Sequence, residues 1–179
     1  DVIVIYDAEG VDASDGRRPL AARPYYARLT QAFVTALSAQ TAEGTLYEVD
    51  MRLRPSGTQG PVATSISSFE SYQLEQAWVW EHLALTRARV IAGPKGLSKD
   101  VEDLRRRVLG MAREPGQVLG EVADMREKIA AAKQPLGLWD AKIGRGRLQD
   151  IELFAQGGAL LAGQAARDIP AGVQAAQQA

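Results

Sequence analysis

The chain has no cysteine and one histidine, His82. The missing cysteines exclude disulfides and thiolate metal sites and fit a cytoplasmic protein. A lone histidine excludes a multi-histidine metal centre built within these 179 residues. Neither charge sign dominates: 21 lysines and arginines against 22 aspartates and glutamates give a net charge of −1. There is thus no chain-wide electrostatic case for nucleic acid or for an acidic membrane. No apolar run approaches the roughly 20 residues that a membrane-spanning helix needs, and no signal-peptide core is visible. Chemistry with oxygen-ligated Mg²⁺ survives all these exclusions. With 46% hydrophobic and 24% charged residues, the composition is that of a soluble globular protein of one or two compact units.

The stretch from Tyr47 to Arg54 is the most informative one present. Tyr47, Val49, Met51 and Leu53 alternate with Glu48, Asp50, Arg52 and Arg54, which predicts a strand with one apolar and one charged face. On such a strand Asp50 and Arg52 stand about 7 Å apart on the same side. A carboxylate suited to Mg²⁺ beside guanidiniums suited to phosphate oxygens fits nucleotide chemistry. A half-exposed strand with a solvated charged face, its arginines paired to Glu48 or other carboxylates, explains the same pattern without a ligand. Val2 to Tyr6 is an apolar, β-branched run that predicts a buried central strand. It follows directly on Asp1, with no initiator Met, so the sequence reads as a piece of a longer protein.

Between these strands, residues 8–23 read as a mobile loop rich in Gly, Asp, Arg and Pro. Pro24 is expected to open a helix carrying Tyr26, Leu29, Phe33 and Leu37 on one face, with Gly44 just past its end. Pro55-Ser56-Gly57 ends the second strand. From Ser65 the character becomes helical. Ser68 is the expected N-cap of one long helix from Phe69 to Ile91, buried on more than one side and stopped by Gly93-Pro94. Further helices are expected with Val101, Leu104, Val108 and Met111, capped by Ser98, then with Val118, Val122, Met125 and Ile129, and last with Leu148, Ile151, Phe154 and Leu161. The Ala- and Gln-rich tail from Ala165 is expected to fray.

Asp1 to Tyr6 and Asp7, Leu46 to Gly57, Glu75 to Val90, and Asp140-Ala141-Lys142 with Asp150-Ile151-Glu152 and Phe154-Ala155-Gln156 together closely resemble glutamine synthetase adenylyltransferase, in its nucleotidyltransferase domain. The resemblance covers residues 1 to about 156, and its first two long blocks look most like the adenylyl-transferring half of that bifunctional enzyme. In that family the first strand opens with Gly-Ser-x-Asp-x-Asp, and Asp1 resembles the second Asp. The implied fold is α+β: a small mixed-sheet, polymerase-beta-like core over residues 1–64, a helical lobe over 65–164, and the tail, 165–179. The implied reaction is Mg²⁺-dependent attack of a tyrosine hydroxyl of glutamine synthetase on the α-phosphorus of ATP, releasing pyrophosphate and regulating nitrogen assimilation. Asp1 and Asp50 are the implied catalytic residues and metal ligands, converging from neighbouring strands on one cleft. Arg52, Arg54 and Ser56 are the implied groups for ATP. Implied partners are glutamine synthetase, other domains of the same enzyme and a nitrogen-signal protein.

Two rivals accompany this expectation. One is the adenylyl-removing domain of the same family, which runs phosphorolysis on a similar fold. The other is a catalytically silent regulatory or interaction module. His82, amid Trp80 and Leu83, is read as a packed histidine. Glu81 and Arg89, eight residues apart on the expected helix, are read as structural ion-pairing groups, with Arg87 on another face. Gly144-Arg145-Gly146-Arg147 lacks a phosphate-loop fingerprint. Its arginines and Lys142 are left to face a nucleotide or a protein partner, with Asp150 and Glu152 as anchors for them or for the helix start.

Overall fold

The computed structural model describes residues 1–178. It is a mixed α/β structure, about half helical, with very little sheet. The chain forms two compact units, Asp1–Gln76 and the residues from Ala77 on.

In the first unit, β1 (Val4–Tyr6) pairs in parallel with β4 (Ala63–Ser65), matching Val4 to Ala63 and Tyr6 to Ser65. Between them lie α1 (Ala22–Leu37) and a short hairpin of β2 (Gln40–Thr41) and β3 (Gly44–Thr45). A 3-10 turn, Gly57–Gln59, precedes β4, and α2 (Ile66–Glu75) follows it. Ser65 ends β4 and caps α2: its backbone is extended and its hydroxyl accepts the Ser68 N–H at 3.2 Å. The cap is therefore Ser65, not Ser68, which already sits inside the first turn.

The expected strand over Tyr47–Leu53 does not form. Its backbone groups bond to scattered partners rather than to one neighbouring strand, so no ladder forms. Tyr47 N–H donates to the Leu37 carbonyl at 3.0 Å, and the Asp50 carbonyl accepts from Val2 N–H at 2.8 Å. The Asp50 carboxylate then takes the Arg52 N–H at 2.8 Å, which turns the chain. Its apolar face is only partly covered: Tyr47 is 60% exposed, while Val49, Met51 and Leu53 are half-buried. The partner of β1 is instead Ala63–Ser65, and β1 is half-buried rather than a fully covered central strand.

Helix α1 starts at Ala22, two residues before Pro24, and it is rotated relative to the expected stripe. Thr30 is its buried residue, with Tyr26, Val34 and Leu37 half-buried, while Leu29 and Phe33 face outward. Tyr26 stacks on Tyr6 of β1, ring centroids 4.2 Å apart, which fixes that rotation.

The second unit is all helix among the described residues: α3 (Val79–Arg87), α4 (Lys95–Leu109), α5 (Pro115–Ala132), α6 (Leu148–Leu161) and α7 (Ile169–Ala176). The expected helix from Phe69 to Ile91 is broken between α2 and α3. Glu81 explains the break: its carboxylate reaches back to the Trp78 N–H at 3.0 Å and starts a new helix there. Helix α3 also stops at Arg87, with Ala88 extended, so Arg89 lies beyond it and the two-turn relation with Glu81 does not arise. Burial of α3 is nevertheless as wide as expected, covering Glu81, His82, Leu83, Leu85 and Thr86. Helix α4 begins at Lys95 because Ser98 N–H already bonds the Pro94 carbonyl; Leu104 and Val108 are buried, and Met111 falls outside the helix.

Arg105 ties α4 to the end of α3. It donates to the Leu85 carbonyl at 2.7 Å and the Thr86 carbonyl at 2.9 Å, while pairing with Glu102. Those carbonyls belong to the last turn of α3 and also accept the N–H groups of Ala88 and Ala166, at 3.3 and 2.9 Å. Where a fraying tail was expected, α7 packs along α6 through small residues. A Cβ on Gly158 would lie 2.1 Å from the Ala176 Cβ, and one on Gly172 would lie 2.8 Å from the Ala155 Cβ.

Candidate functional site

The residues expected to handle a nucleotide all lie in the first unit, but they fall into separate groups. Asp50 and Arg52 form the first. Arg52 Nε approaches Asp50 Oδ2 at 2.8 Å and Oδ1 at 3.1 Å, and its Nη2 reaches Oδ2 at 2.5 Å. With the Arg52 N–H on Oδ1, one arginine supplies every hydrogen bond the carboxylate receives among the described residues. That grip, chiefly the guanidinium and next the backbone N–H, pulls the Asp50 carboxyl down to about 2. Asp50 is therefore fully ionised at neutral pH. Proximity of Asp50 and Arg52 was legible in the sequence, but it arises from a turn and not from a shared strand face.

Asp1 is exposed, and its neighbour Val2 donates its N–H to the Asp50 carbonyl. The backbones carrying Asp1 and Asp50 thus adjoin. Among the described residues no cluster of three or more His, Cys, Asp or Glu side chains is present, so a complete protein cage for a metal is not on offer. Mg²⁺ takes one or two carboxylates and completes its shell with water and phosphate. Two aspartates fit that habit once Arg52, whose side chain is 76% exposed, swings off the Asp50 oxygens.

Arg54 is used differently. Its guanidinium donates to the carbonyls of Met51 at 2.8 Å, Gly60 at 3.3 Å and Thr58 at 3.4 Å, closing the loop 51–60 on itself. Gly60 is obligatory in that closure, since a Cβ there would sit 1.9 Å from the Pro55 carbonyl oxygen. Ser56, at the loop's tip, has a left-handed backbone with φ 60°, a conformation that non-glycine residues rarely keep without a reason.

Ser56 lines a cavity of ≈ 540 Å³ in the same unit, together with Arg23, Ser65, Ser67, Ser68 and Ser71, and with Tyr6 and Tyr72. The parallel strands β1 and β4 both end here, at Tyr6 and Ser65. Asp1 precedes β1, so an extended chain puts it roughly 15 Å away along the strand direction. On that geometry Ser56 stands apart from Asp1, among hydroxyls and one guanidinium. Sequence reasoning missed Arg23 and this serine group. The run Thr64-Ser65-Ile66-Ser67-Ser68 was the available signal, read only as a source of a helix cap.

His82 is buried, with Nδ1 3.2 Å from Arg113 Nη2. A guanidinium can only donate, so Nδ1 accepts and the proton of a neutral imidazole sits on Nε2. Burial pushes the Arg113 guanidinium down. This is a packed histidine, as its neighbours implied. In the loop before α6, Arg147 spends its guanidinium on the carbonyls of Gly137, Leu138, Asp140 and Ile143, which removes it from any phosphate-gripping role. Asp150 accepts the Gly146 N–H at 2.8 Å and pairs with Arg126 at 3.1 Å, anchoring the start of α6. The Gly146 N–H is the main group holding its carboxyl below the usual range.

The small α/β unit thus carries an ionised carboxylate gripped by arginine, with a second aspartate on the adjoining backbone, and separately a cavity lined by hydroxyls and one guanidinium. Comparison with known proteins gives the chain a family. The profile of the glutamate-ammonia ligase adenylyltransferase family matches residues 1–103, and the chain belongs to that family. It is 50% identical over 157 residues to the bifunctional glutamine synthetase adenylyltransferase/adenylyl-removing enzyme of Mesorhizobium japonicum, a match over 87% of this chain and 16% of that protein. The proteins of the same description from Xanthobacter autotrophicus and Brucella suis are 49% and 51% identical, again over 87% of the chain and 16% of theirs. The chain thus spans about a sixth of the length of the curated relatives it matches. Among the described residues no helix is long and apolar enough to cross a membrane.

Proposed function

We propose that this chain is the nucleotide-handling part of an enzyme that transfers AMP from ATP to a tyrosine of glutamine synthetase and releases pyrophosphate. The observation that carries the reading is the Asp50–Arg52 turn, its backbone bonded to Val2, in a member of an adenylyltransferase family. The α/β unit is, in this reading, part of a polymerase-beta-like core, with the helices as its lobe. Asp1 and Asp50 would hold Mg²⁺, which would supply positive charge against phosphate oxygens. Arg52, whose side chain is 76% exposed, would offer its fork to the triphosphate. Arg54 is assigned to positioning: its donors hold the loop that carries Ser56, and Ser56 supplies the polar contact. The chain's contribution to rate is orientation and fixed charge rather than a covalent intermediate.

The relatives' shared description joins transfer with removal of the adenylyl group, so a second reading stands beside the first. Both directions need the same grip on metal and phosphate, and Asp50, Arg52 and Arg54 serve either. Incubating the chain with α-labelled ATP, Mg²⁺ and glutamine synthetase separates them. Label appearing on the synthetase is the expected result. Phosphate-dependent release of AMP from pre-modified synthetase, with no forward labelling, assigns the removing reaction instead. Neither activity from the folded chain overturns the enzymatic reading in favour of a silent module.

A further inference from the structure

We propose that the cavity where β1 and β4 end seats the nucleoside end of ATP, with Gln76 reading the edge of the adenine ring and Ser56 and Ser71 meeting the ribose hydroxyls. This rests on the transfer reaction proposed above and assigns the two ends of its nucleotide. β1 and the segment 50–56 leave a common start and arrive at a common end. At the start, the Val2 N–H donates to the Asp50 carbonyl at 2.8 Å; at the end, Tyr6 and Ser56 both line the cavity. The four steps from Val2 to Tyr6 cover about 13 Å when extended, a span comparable with that of an extended nucleotide. A triphosphate held at Asp1, Asp50 and Arg52 therefore has its nucleoside within reach of the cavity.

The lining suits the uncharged half of a nucleotide. The cavity of ≈ 540 Å³ has the size of a small-molecule site. Arg23 is its one charged side chain, too little cation for a triphosphate. Asp7, Glu70 and Glu75 each adjoin a lining residue in sequence, but no carboxylate lines the cavity. Ser65, Ser67 and Ser68 are bonded among themselves, with Ser65 Oγ 3.2 Å from Ser67 Oγ and 2.8 Å from Ser68 Oγ. Arg23, Ser56, Ser71 and Gln76, by contrast, make no side-chain hydrogen bond or ion pair among the described residues. Two hydroxyls and one carboxamide are thus left for a ligand.

The carboxamide selects the base. It offers a donor and an acceptor side by side, which matches the N6 amino group and N7 of adenine and mismatches the two acceptors, O6 and N7, of guanine. Tyr6, Tyr72 and the Arg23 guanidinium are the planar groups of the lining, the kind on which bases stack. Tyr6 is braced for that role by its own stack on Tyr26, centroids 4.2 Å apart.

The test is titration calorimetry of the purified chain in the presence of Mg²⁺, with ATP, GTP, 2′,3′-dideoxy-ATP and tripolyphosphate as probes, on the parent, Gln76→Ala and Ser71→Ala. Gln76→Ala is expected to weaken ATP about ten-fold and to bring ATP and GTP to similar affinity. Tripolyphosphate, which has neither base nor ribose, should bind it as it binds the parent. Ser71→Ala should weaken ATP about three-fold or more and leave 2′,3′-dideoxy-ATP unaffected. Both side chains are exposed, so melting curves should match the parent, and in the transfer assay the losses should appear in KM for ATP and not in kcat. Parent-like ATP affinity in both variants overturns the proposal, as does a parent chain that binds no ATP. Equal weakening of tripolyphosphate overturns it too, in favour of a simple anion site. AMP transfer with undiminished ATP affinity in the variants rejects the nucleoside seat and keeps the enzyme. Gln76-dependent ATP binding without transfer rejects the reaction and keeps the seat.

Discussion

The two units of this chain are built on different terms. In the second, leucines, valines and alanines from all five helices are buried, among them Leu83, Leu104, Val108, Val118, Leu153 and Leu160. In the first, the buried hydrophobic residues are Ala63 and Phe69, and the other buried positions are Pro55 and the polar Thr30, Thr64 and Gln73. Tyr25, Leu29, Phe33, Leu46 and Tyr47 of that unit are all at least 40% exposed. The hydroxyls, the left-handed Ser56 and the Asp50–Arg52 grip belong to the thinly packed unit. Cohesion and phosphate-handling groups are therefore separated along the chain, and each unit answers to different substitutions.

Core truncation should show the largest contrast. Leu83→Ala removes a side chain that is 2% exposed and is expected to cost the second unit about 2–5 kcal/mol. Leu29→Ala, on the outward face of α1, should fall within about 0.5 kcal/mol of the parent. Denaturant melts of the two variants check this, and similar losses would erase the distinction between the units. A smaller effect is expected from Gly158→Ala. The added methyl collides with Ala176 across the α6–α7 contact, and overpacking of this kind costs about 1–3 kcal/mol. An unchanged melt would mean that α7 is not seated there.

The helical unit was the more legible of the two because its order is local and periodic. The step from Val118 through Val122 and Met125 to Ile129 lies on the covered side of α5, and α6 runs where Leu148 to Leu161 implied. Its errors came from single polar contacts that periodicity does not register, such as Glu81 restarting a helix at Trp78. The tail was misread because Ala and Gly there serve close helix packing. The first unit was read well in composition and poorly in geometry. Alternation over Tyr47–Leu53 is genuine, but a strand needs a partner for its backbone, and Asp50, Arg52 and Arg54 take those backbone groups for turns. Arg23 and the serines of α2 converge only through the parallel pairing of β1 and β4, which the sequence does not display.

The smallest effect concerns pH. The Asp50 carboxyl is depressed from an unfolded value near 4 to about 2. Its depressed value means the pairing with Arg52 contributes stability above about pH 4, lost as pH falls through about 2. Carboxyl NMR should find Asp50 titrating near 2, and Arg52→Ala should return it toward the ordinary range. An Asp50 that titrates normally in the parent would mean the guanidinium grip is absent in solution.

The central claim is that Asp50 serves phosphate chemistry rather than cohesion. Asp50→Asn keeps the shape and removes the charge, so AMP transfer to glutamine synthetase and the melting temperature, measured on the same preparation, separate the two roles. Loss of transfer with a melting curve close to the parent's is the result this account predicts. Undiminished transfer, or a collapsed melt that leaves no folded first unit, would contradict it.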